Sequence, residues 1–485
     1  GIVAASGTGL QEVACQLDRL GVGVRHAIGT GGRDLHEAVG GATFLAAIAA
    51  LARDPGTRVI VALSKPPAPA VRQRVLDALA ACGKPAVVHF LGDPTQPCPT
   101  LAATARAAAW LAGAAGSSAP GDEPARPQAA GPAAGTPSAA LLAAETPARY
   151  GGDNPLHREA QLAAQALLAR ARQLAAPLRP EQRWVRGLYG GGTLCYESQL
   201  LIGDLAVPVA SNAPLPGRAP YRPGDPAPEA HLLLDLGADE FTAGRLHPML
   251  DPEVRLRYLA TAARDPRVAV VLMDVVLGYG AHPNPAEELA PAVVAARAAA
   301  AGAGRHLVVI ASLCGTPADP QGFEDQARRL EAAGAVVLGS HAEAALLAGT
   351  VAALAAGRAV EPAALTRWLI PRLPARTGWD HPPAAAWDAP DGDGRGGRED
   401  HGGPRRPAGA GDPAAAPDPG GRSTAPGSGS DPVARLLSGV VAVNAGVGLF
   451  AESLARQGVP VVPLDWRPPA GGNPRVLDAL RRLRG

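Results

Sequence analysis

Lysine is almost missing from this chain: Lys65 and Lys84 stand among 45 basic residues, and arginine supplies the rest. Against 44 acidic residues this leaves a formal net charge of +1, too small to draw the chain to nucleic acid or an anionic membrane. With the abundant alanine, the lysine deficit reads as genome composition rather than function. Cysteine is sparse and scattered, with Cys15, Cys82, Cys98, Cys195 and Cys314 forming an odd set without a Cys-x-x-Cys pair. That excludes a disulfide scaffold and a structural zinc site, and it fits reduced thiols in a cytoplasm. No apolar run is long enough to span a bilayer. The chain opens on Gly1-Ile2-Val3-Ala4-Ala5, a strand-like run with no methionine before it, so an upstream domain is expected.

What is present is a short motif used twice. Ser6-Gly7-Thr8-Gly9-Leu10-Gln11-Glu12 is matched later by Gly191-Gly192-Thr193-Leu194-Cys195-Tyr196-Glu197. Each copy follows an apolar run and opens an amphipathic one; after the first, Leu10, Val13, Ala14, Leu17 and Leu20 share a helical face. Glycines at such a strand-to-helix turn admit a ligand close to the backbone, and the helix N-terminus favours an anion. Thr8 and Gln11 also have capping-box spacing, so a well-capped helix without a ligand stays open as the plainer alternative.

The 485 residues allow two or three domains with cores of their own. Over 1–92, strand-length runs at 2–5, 22–28, 59–63 and 86–91 alternate with helical patterns at about 10–20, 41–53 and 69–82. This alternation predicts a parallel sheet covered on both faces, with ligands at the C-terminal strand ends. Those ends carry Ser6-Gly7-Thr8, Gly29-Thr30-Gly31-Gly32-Arg33-Asp34, Ser64-Lys65-Pro66 and Gly92-Asp93. The block at about 183–355 repeats the first. Leu51-Ala52-Arg53-Asp54-Pro55 has its counterpart in Ala262-Ala263-Arg264-Asp265-Pro266, in each case a helix end, an Asp-Pro turn and a buried strand. A Pro-rich insertion around 206–229 marks the second copy, and the long period points to duplication. The expected fold class is α/β, with two flavodoxin-like doubly wound parallel-sheet domains at 1–115 and 149–357. Low-complexity linkers are expected at 116–148 and, largely disordered, at 358–430, with a small C-terminal βαβ element at 431–485.

The first block resembles the ligase domain of succinyl-CoA synthetase and NDP-forming acyl-CoA synthetases, through its Ser-Gly-Thr opening, Gly-Thr-Gly-Gly-Arg-Asp turn and Asp-Pro turn. Outside the connectors, the whole chain resembles the FdrA family. The marks are Gly29-Thr30-Gly31-Gly32-Arg33-Asp34-Leu35, Ser64-Lys65-Pro66-Pro67-Ala68-Pro69, the Gly191–Glu197 motif, Leu277-Gly278-Tyr279-Gly280-Ala281-His282-Pro283 and Asp465-Trp466-Arg467-Pro468-Pro469. The resemblance implies a further N-terminal domain and a component of an oxamate carbamoyltransferase in ureide nitrogen catabolism, acting with companion subunits. It implies phosphate or carbamoyl phosphate as ligand, and CoA by ancestry. One departure counts against a phosphohistidine relay: Gly92-Asp93-Pro94-Thr95-Gln96-Pro97 stands where succinyl-CoA synthetases carry a Gly-His-Ala-Gly motif.

Carbamoyl transfer to or from phosphate needs anion-binding donors and groups that polarise the carbonyl. The expected phosphate-binding set is Ser6, Gly7, Thr8, Gly29, Thr30, Gly31, Gly32, Arg33, Ser64, Lys65, Gly191, Gly192 and Thr193. Arg245, His247 and His282, in Gly/Pro-rich turns, are the candidate catalytic groups, with the histidines as acid or base; each also has the plain reading of a solvated cation or a turn-stabilising residue. Asp235, Asp239, Glu240 and Asp251 match no metal-ligand spacing, so no metal is assigned. Cys195 follows a turn but has no partner histidine that the sequence identifies. Trp466 and Arg467 are read as docking residues. The two alternatives are an acyl-CoA synthetase-like enzyme and a non-catalytic scaffold.

Overall fold

The structure is a computed structural model that describes residues 1–93, 95–113, 155–371, 442–445, 448–456 and 458–464. Within them, runs of Val, Ile, Leu and Ala too short for helices become strands, and all of these pair in parallel. The first lobe runs β1 (Ile2–Ala4), α1 (Gly7–Arg19), β2 (Ala27–Gly29), α2 (Ala42–Arg53), β3 (Ile60–Ser64), α3 (Pro69–Ala81), β4 (Ala86–Phe90) and α4 (Leu101–Leu111). Its sheet has the order β2-β1-β3-β4.

The second lobe begins with α5 (Pro155–Ala175), β5 (Trp184–Tyr189), α6 (Gly192–Leu205), β6 (Val209–Ser211), β7 (His231–Asp235), the short α7 (Asp239–Thr242) and α8 (Glu253–Arg264). It continues with β8 (Val268–Val276), α9 (Pro285–Gly302), β9 (Val308–Cys314), α10 (Phe323–Ala332), β10 (Val336–Leu338), α11 (His341–Ala355) and α12 (Pro362–Leu369). Its sheet order is β10-β9-β8-β5-β7-β6. Near the C-terminus, β11 (Ala442–Ala445), α13 (Gly448–Arg456) and β12 (Val461–Leu464) form a βαβ unit. The fold class is therefore α/β with two doubly wound parallel sheets, as the alternation of periods implies.

One shared core joins the lobes. The inner faces of both sheets, through Ile2, Ala4, Val61 and Leu63 on one side and Val185, Leu272 and Ile310 on the other, bury against the same helical layer. Val13 and Leu17 of α1, Leu101 of α4, Leu194 of α6, Leu346 of α11 and Leu365 of α12 fill that layer. A separate outer core packs α2 and α3 on the first sheet around Phe44 and Val71. Another packs α8, α9 and α10 on the second around Leu259, Leu289 and Leu330. The repeat read from Asp54-Pro55 and Asp265-Pro266 is visible in the backbone: both aspartates end a helix with φ and ψ of −70° and 114° or −72° and 115°.

Three expectations meet differences. The run at 22–28 yields only β2 at its end, because α1 closes in a Schellman turn: Gly21 has φ +71°, its amide donates to Asp18 O, and Val22 N–H donates to Leu17 O. Val22 is thus tied to the helix end instead of a neighbouring strand. The stretch expected as linker from 358 contains α12, whose Leu365 and Leu369 are fully buried. Its last carbonyls accept from the first lobe, Trp368 O from Thr100 Oγ1 at 3.0 Å and Leu369 O from an Arg106 guanidinium nitrogen at 2.7 Å. The insertion at 206–229 is not all loop, since β6 pairs with β7 at the sheet edge. The expected linker at 116–148, most of 358–430 and the Asp465-Trp466-Arg467-Pro468-Pro469 motif lie outside the described residues.

Candidate functional site

The repeated motif places two helix N-termini against each other. β1 and β5 each lie inside their sheets, and each feeds a glycine turn into α1 or α6. Across the lobes, Ser6 Oγ and Thr193 Oγ1 are 2.6 Å apart. A methyl on Gly191 would come within 2.6 Å of Thr8 Cγ2, and one on Gly9 within 3.1 Å of Thr193 Cγ2. Glycine is therefore required at Gly191 by the approach of the opposite lobe, and at Gly9 first by its own cap, since a methyl there would lie 2.4 Å from Ser6 Oγ. The first-turn amides of Gly7, Thr8, Gly192 and Thr193 have no acceptor within their own helices, and both helix dipoles present their positive ends to the same place.

The two turns are held differently. Ser6 caps α1, its Oγ accepting Gly9 N–H at 3.1 Å. Gly191 has no side chain with which to cap α6; instead the Asp274 carboxylate accepts Gly190 N–H and Gly191 N–H, each at 2.8 Å. Asp274 is in turn gripped by Arg255 at 2.7 Å, through both its Oδ1 and its backbone carbonyl. The pair is buried, at 5% and 0% side-chain exposure. The amides of Gly190 and Gly191 are thus spoken for, and the donors open to an anion start at Gly192.

Charged groups from both lobes converge on Gly192. A methyl there would fall on Asp235 Oδ2 and lie 3.2 Å from Lys65 Nζ. Lys65 follows β3 in the first lobe, and Asp235 ends β7 in the second. Asn212 fixes Asp235 by clasping its backbone, donating to Asp235 O at 3.0 Å and accepting Asp235 N–H at 2.9 Å. Burial pushes the Asp235 carboxyl up to about 6, with Lys65 opposing the shift. His247 completes the group: a methyl on Gly237 would meet His247 Nε2 at 2.6 Å and Asp235 Oδ1 at 3.3 Å. Burial lowers the His247 pKa, which keeps the imidazole neutral near pH 7.

Of the residues expected from sequence, the structure brings together Ser6, Gly7, Thr8, Lys65, Gly191, Gly192, Thr193 and His247. Ser64 is buried at the end of β3, beside Lys65. Gly29 ends the neighbouring strand β2 and Thr30 follows it; Thr30 N–H donates to Ala4 O at 2.9 Å, and its Oγ1 is buried without a partner among the described residues. Gly31, Gly32 and Arg33 are exposed. It is Asp34 that turns inward, accepting Thr43 and Phe44 N–H at the start of α2. Arg245 is exposed in the turn after α7. His282 faces α9, its Nε2 3.0 Å from Glu288 and its Nδ1 accepting Asn284 N–H. The cavity beside it, ≈ 10 Å³, has room for about one water. Cys195 is fully buried, and burial raises its thiol far above the range of a reactive thiolate.

The sequence reading missed Asp274, Arg255 and Asn212, and it weighed Asp235 only as a metal ligand. It also missed what the last residue of each motif does. Glu12 Oε1 accepts His341 N–H at 3.0 Å, at the start of α11 in the other lobe. Glu197 Oε1 accepts Leu101 N–H at 2.8 Å, at the start of α4 in the first lobe. Each motif helix thus caps a helix across the interface. The signal was in the sequence: glutamate stands at the same offset from Thr8 and from Thr193.

Comparison with known proteins agrees with the α/β plan. Over 358 residues the chain is 37% identical to a protein of Escherichia coli (strain K12) described as "Uncharacterized protein YahF". The match takes in 72% of this chain and 61% of that protein, so the chain spans less than two thirds of its relative's length. Residues 188–351, from the end of β5 into α11, match the CoA-ligase family model, so this part of the second lobe is similar to CoA-ligase domains.

Proposed function

We propose that the facing N-termini of α1 and α6 hold the phosphoryl group of a small acyl phosphate. On this reading the chain is a component of a carbamoyltransferase that, with companion subunits, interconverts oxalurate plus phosphate and oxamate plus carbamoyl phosphate. The observation that carries it is the 2.6 Å contact between Ser6 Oγ and Thr193 Oγ1. Two positive helix ends set this close repel each other, and an anion bound beside the contact, on the first-turn amides of both helices, offsets the repulsion. Lys65 adds a full positive charge at the same place.

In the forward direction a phosphate oxygen attacks the carbamoyl carbon, the bond from that carbon to the oxamate nitrogen breaks, and the nitrogen must gain a proton. The first-turn amides and Lys65 hold the phosphate and offset its charge. Asp235, with its pKa near 6, takes the phosphate proton and returns it to the leaving nitrogen. Neutral His247 hydrogen-bonds the carbonyl side of the substrate. The CoA-ligase match favours a second reading, an acyl-CoA synthetase-like enzyme in which the same cradle holds an acyl phosphate before transfer to CoA.

Calorimetric titration of the full chain with phosphate, carbamoyl phosphate and CoA tests this. Carbamoyl phosphate should bind, with CoA silent, and Lys65→Ala should weaken binding by about tenfold or more, the scale of one charge-assisted hydrogen bond. CoA binding alone would favour the second reading, and no binding of any of the three would overturn the anion site.

A further inference from the structure

The second lobe has a cavity away from the facing helix ends. It measures ≈ 470 Å³ and lies between the outer face of β5 and β7, helix α8 and the insertion that follows β6. That volume is within the range of small-molecule pockets. Three aromatic rings line it: Tyr221 from the insertion, Phe241 from α7 and Tyr258 from α8. Phe241 and Tyr258 meet edge to face, with centroids 5.8 Å apart at 87°, and Tyr221 Oη is pinned by donating to Asp225 O at 2.7 Å. All three rings are only half-buried.

The internal repeat shows why the space exists. Helices α2 and α8 end in the same Arg-Asp-Pro sequence, so Leu51 of α2 corresponds to Ala262 of α8, and Ala47 to Tyr258. In the first lobe Leu51 is fully buried and fills the gap beside β1. In the second, Ala262 leaves that volume open and lines the cavity. The strand position opposite also changes. Counted back from Thr8 and Thr193, Gly1 in β1's approach stands where Arg186 stands in β5. Arg186 forms part of the wall, its guanidinium held by Asp265 at 3.1 Å and Ala230 O at 2.9 Å. Arg257, with its side chain 56% exposed, stands at the mouth. A leucine-filled position has become a ring-lined chamber with an arginine at its entrance.

We infer that this chamber is a binding site for a one- or two-ring aromatic or heteroaromatic small molecule bearing a carboxylate. Tyr258, Phe241 and Tyr221 contact the ring, and Arg257 pairs with the carboxylate. The site is independent of the anion cradle between α1 and α6.

Saturation-transfer NMR on the full chain, with indole and indole-3-acetate as probes, tests this. Both probes should receive saturation, indole-3-acetate more strongly, and Arg257→Ala should remove the difference. Ala262→Leu installs the residue that fills the first lobe. It should abolish binding of both probes without lowering the thermal midpoint, while the phosphate titration stays as in the parent chain. Tyr258→Ala, its counterpart in the first lobe, should weaken both probes. Absence of saturation transfer to either probe in the parent chain, or undiminished transfer in a folded Ala262→Leu variant, would overturn the inference.

Discussion

In the first lobe the glycine turn is capped by its own side chain, Ser6; in the second it is held by a buried ion pair that reaches over from β8 and α8. The two turns then lead into helices of nearly the same length, 13 and 14 residues, so the difference is confined to the approach. The first lobe uses a local cap, which is cheap to lose. The second uses Asp274 and Arg255, which must act together because either alone leaves a buried charge. The two lobes share the helix and its glutamate but differ in the means of fixing the turn.

The largest expected effect separates these two means. Asp274→Ala should destabilise the chain by about 3–5 kcal/mol, since it strands the Arg255 guanidinium in the core. Ser6→Ala should cost only about 1 kcal/mol, the usual value of an N-cap. Urea denaturation of the two variants side by side measures this, and equal losses would remove the distinction between the lobes.

The pH response comes next. Glu197 is buried, its Oε2 has no partner among the described residues, and burial pushes its carboxyl up to about 8. The fold therefore binds this proton more tightly than the unfolded chain, whose glutamates titrate near 4.5. The resulting stabilisation is complete below that unfolded value and is lost as pH rises toward and through about 8. The thermal midpoint should fall over this window in the parent chain, and Glu197→Gln should flatten the fall. An unchanged slope in that variant would show that another group titrates.

A smaller contrast concerns the glycines. Nothing lies within 4 Å of a methyl added to Gly7, while one on Gly192 falls on Asp235 and beside Lys65. Gly192→Ala should weaken phosphate binding about tenfold or more, near 1.4 kcal/mol, and Gly7→Ala should leave it close to the parent value by calorimetry. Glu12→Ala should cost, like Ser6→Ala, about 1 kcal/mol for a lost cap. Hydrogen exchange should locate it at the start of α11 in the second lobe, and loosening confined to α1 would contradict the exchange of caps.

The sequence alone determined the class of fold, because the period of its apolar residues changes from strand to helix and back, and parallel strands follow from helices between them. It also determined the repeat and the two glycine turns, since a glycine held against another chain segment leaves a mark that spacing reveals. Where the chain's parts meet was decided only in three dimensions. Lys65 and Asp235 are far apart in sequence and belong to different lobes, and they share Gly192 because the two sheets bury their inner faces in one helical layer. Arg33 looked promising between the glycines and Asp34, yet it is Asp34 that turns inward, for the first-turn amides of α2 needed an acceptor. Local periodicity is written into each segment, whereas the partner of a buried charge or an open helix end depends on which surfaces pack, and packing is a property of the whole chain.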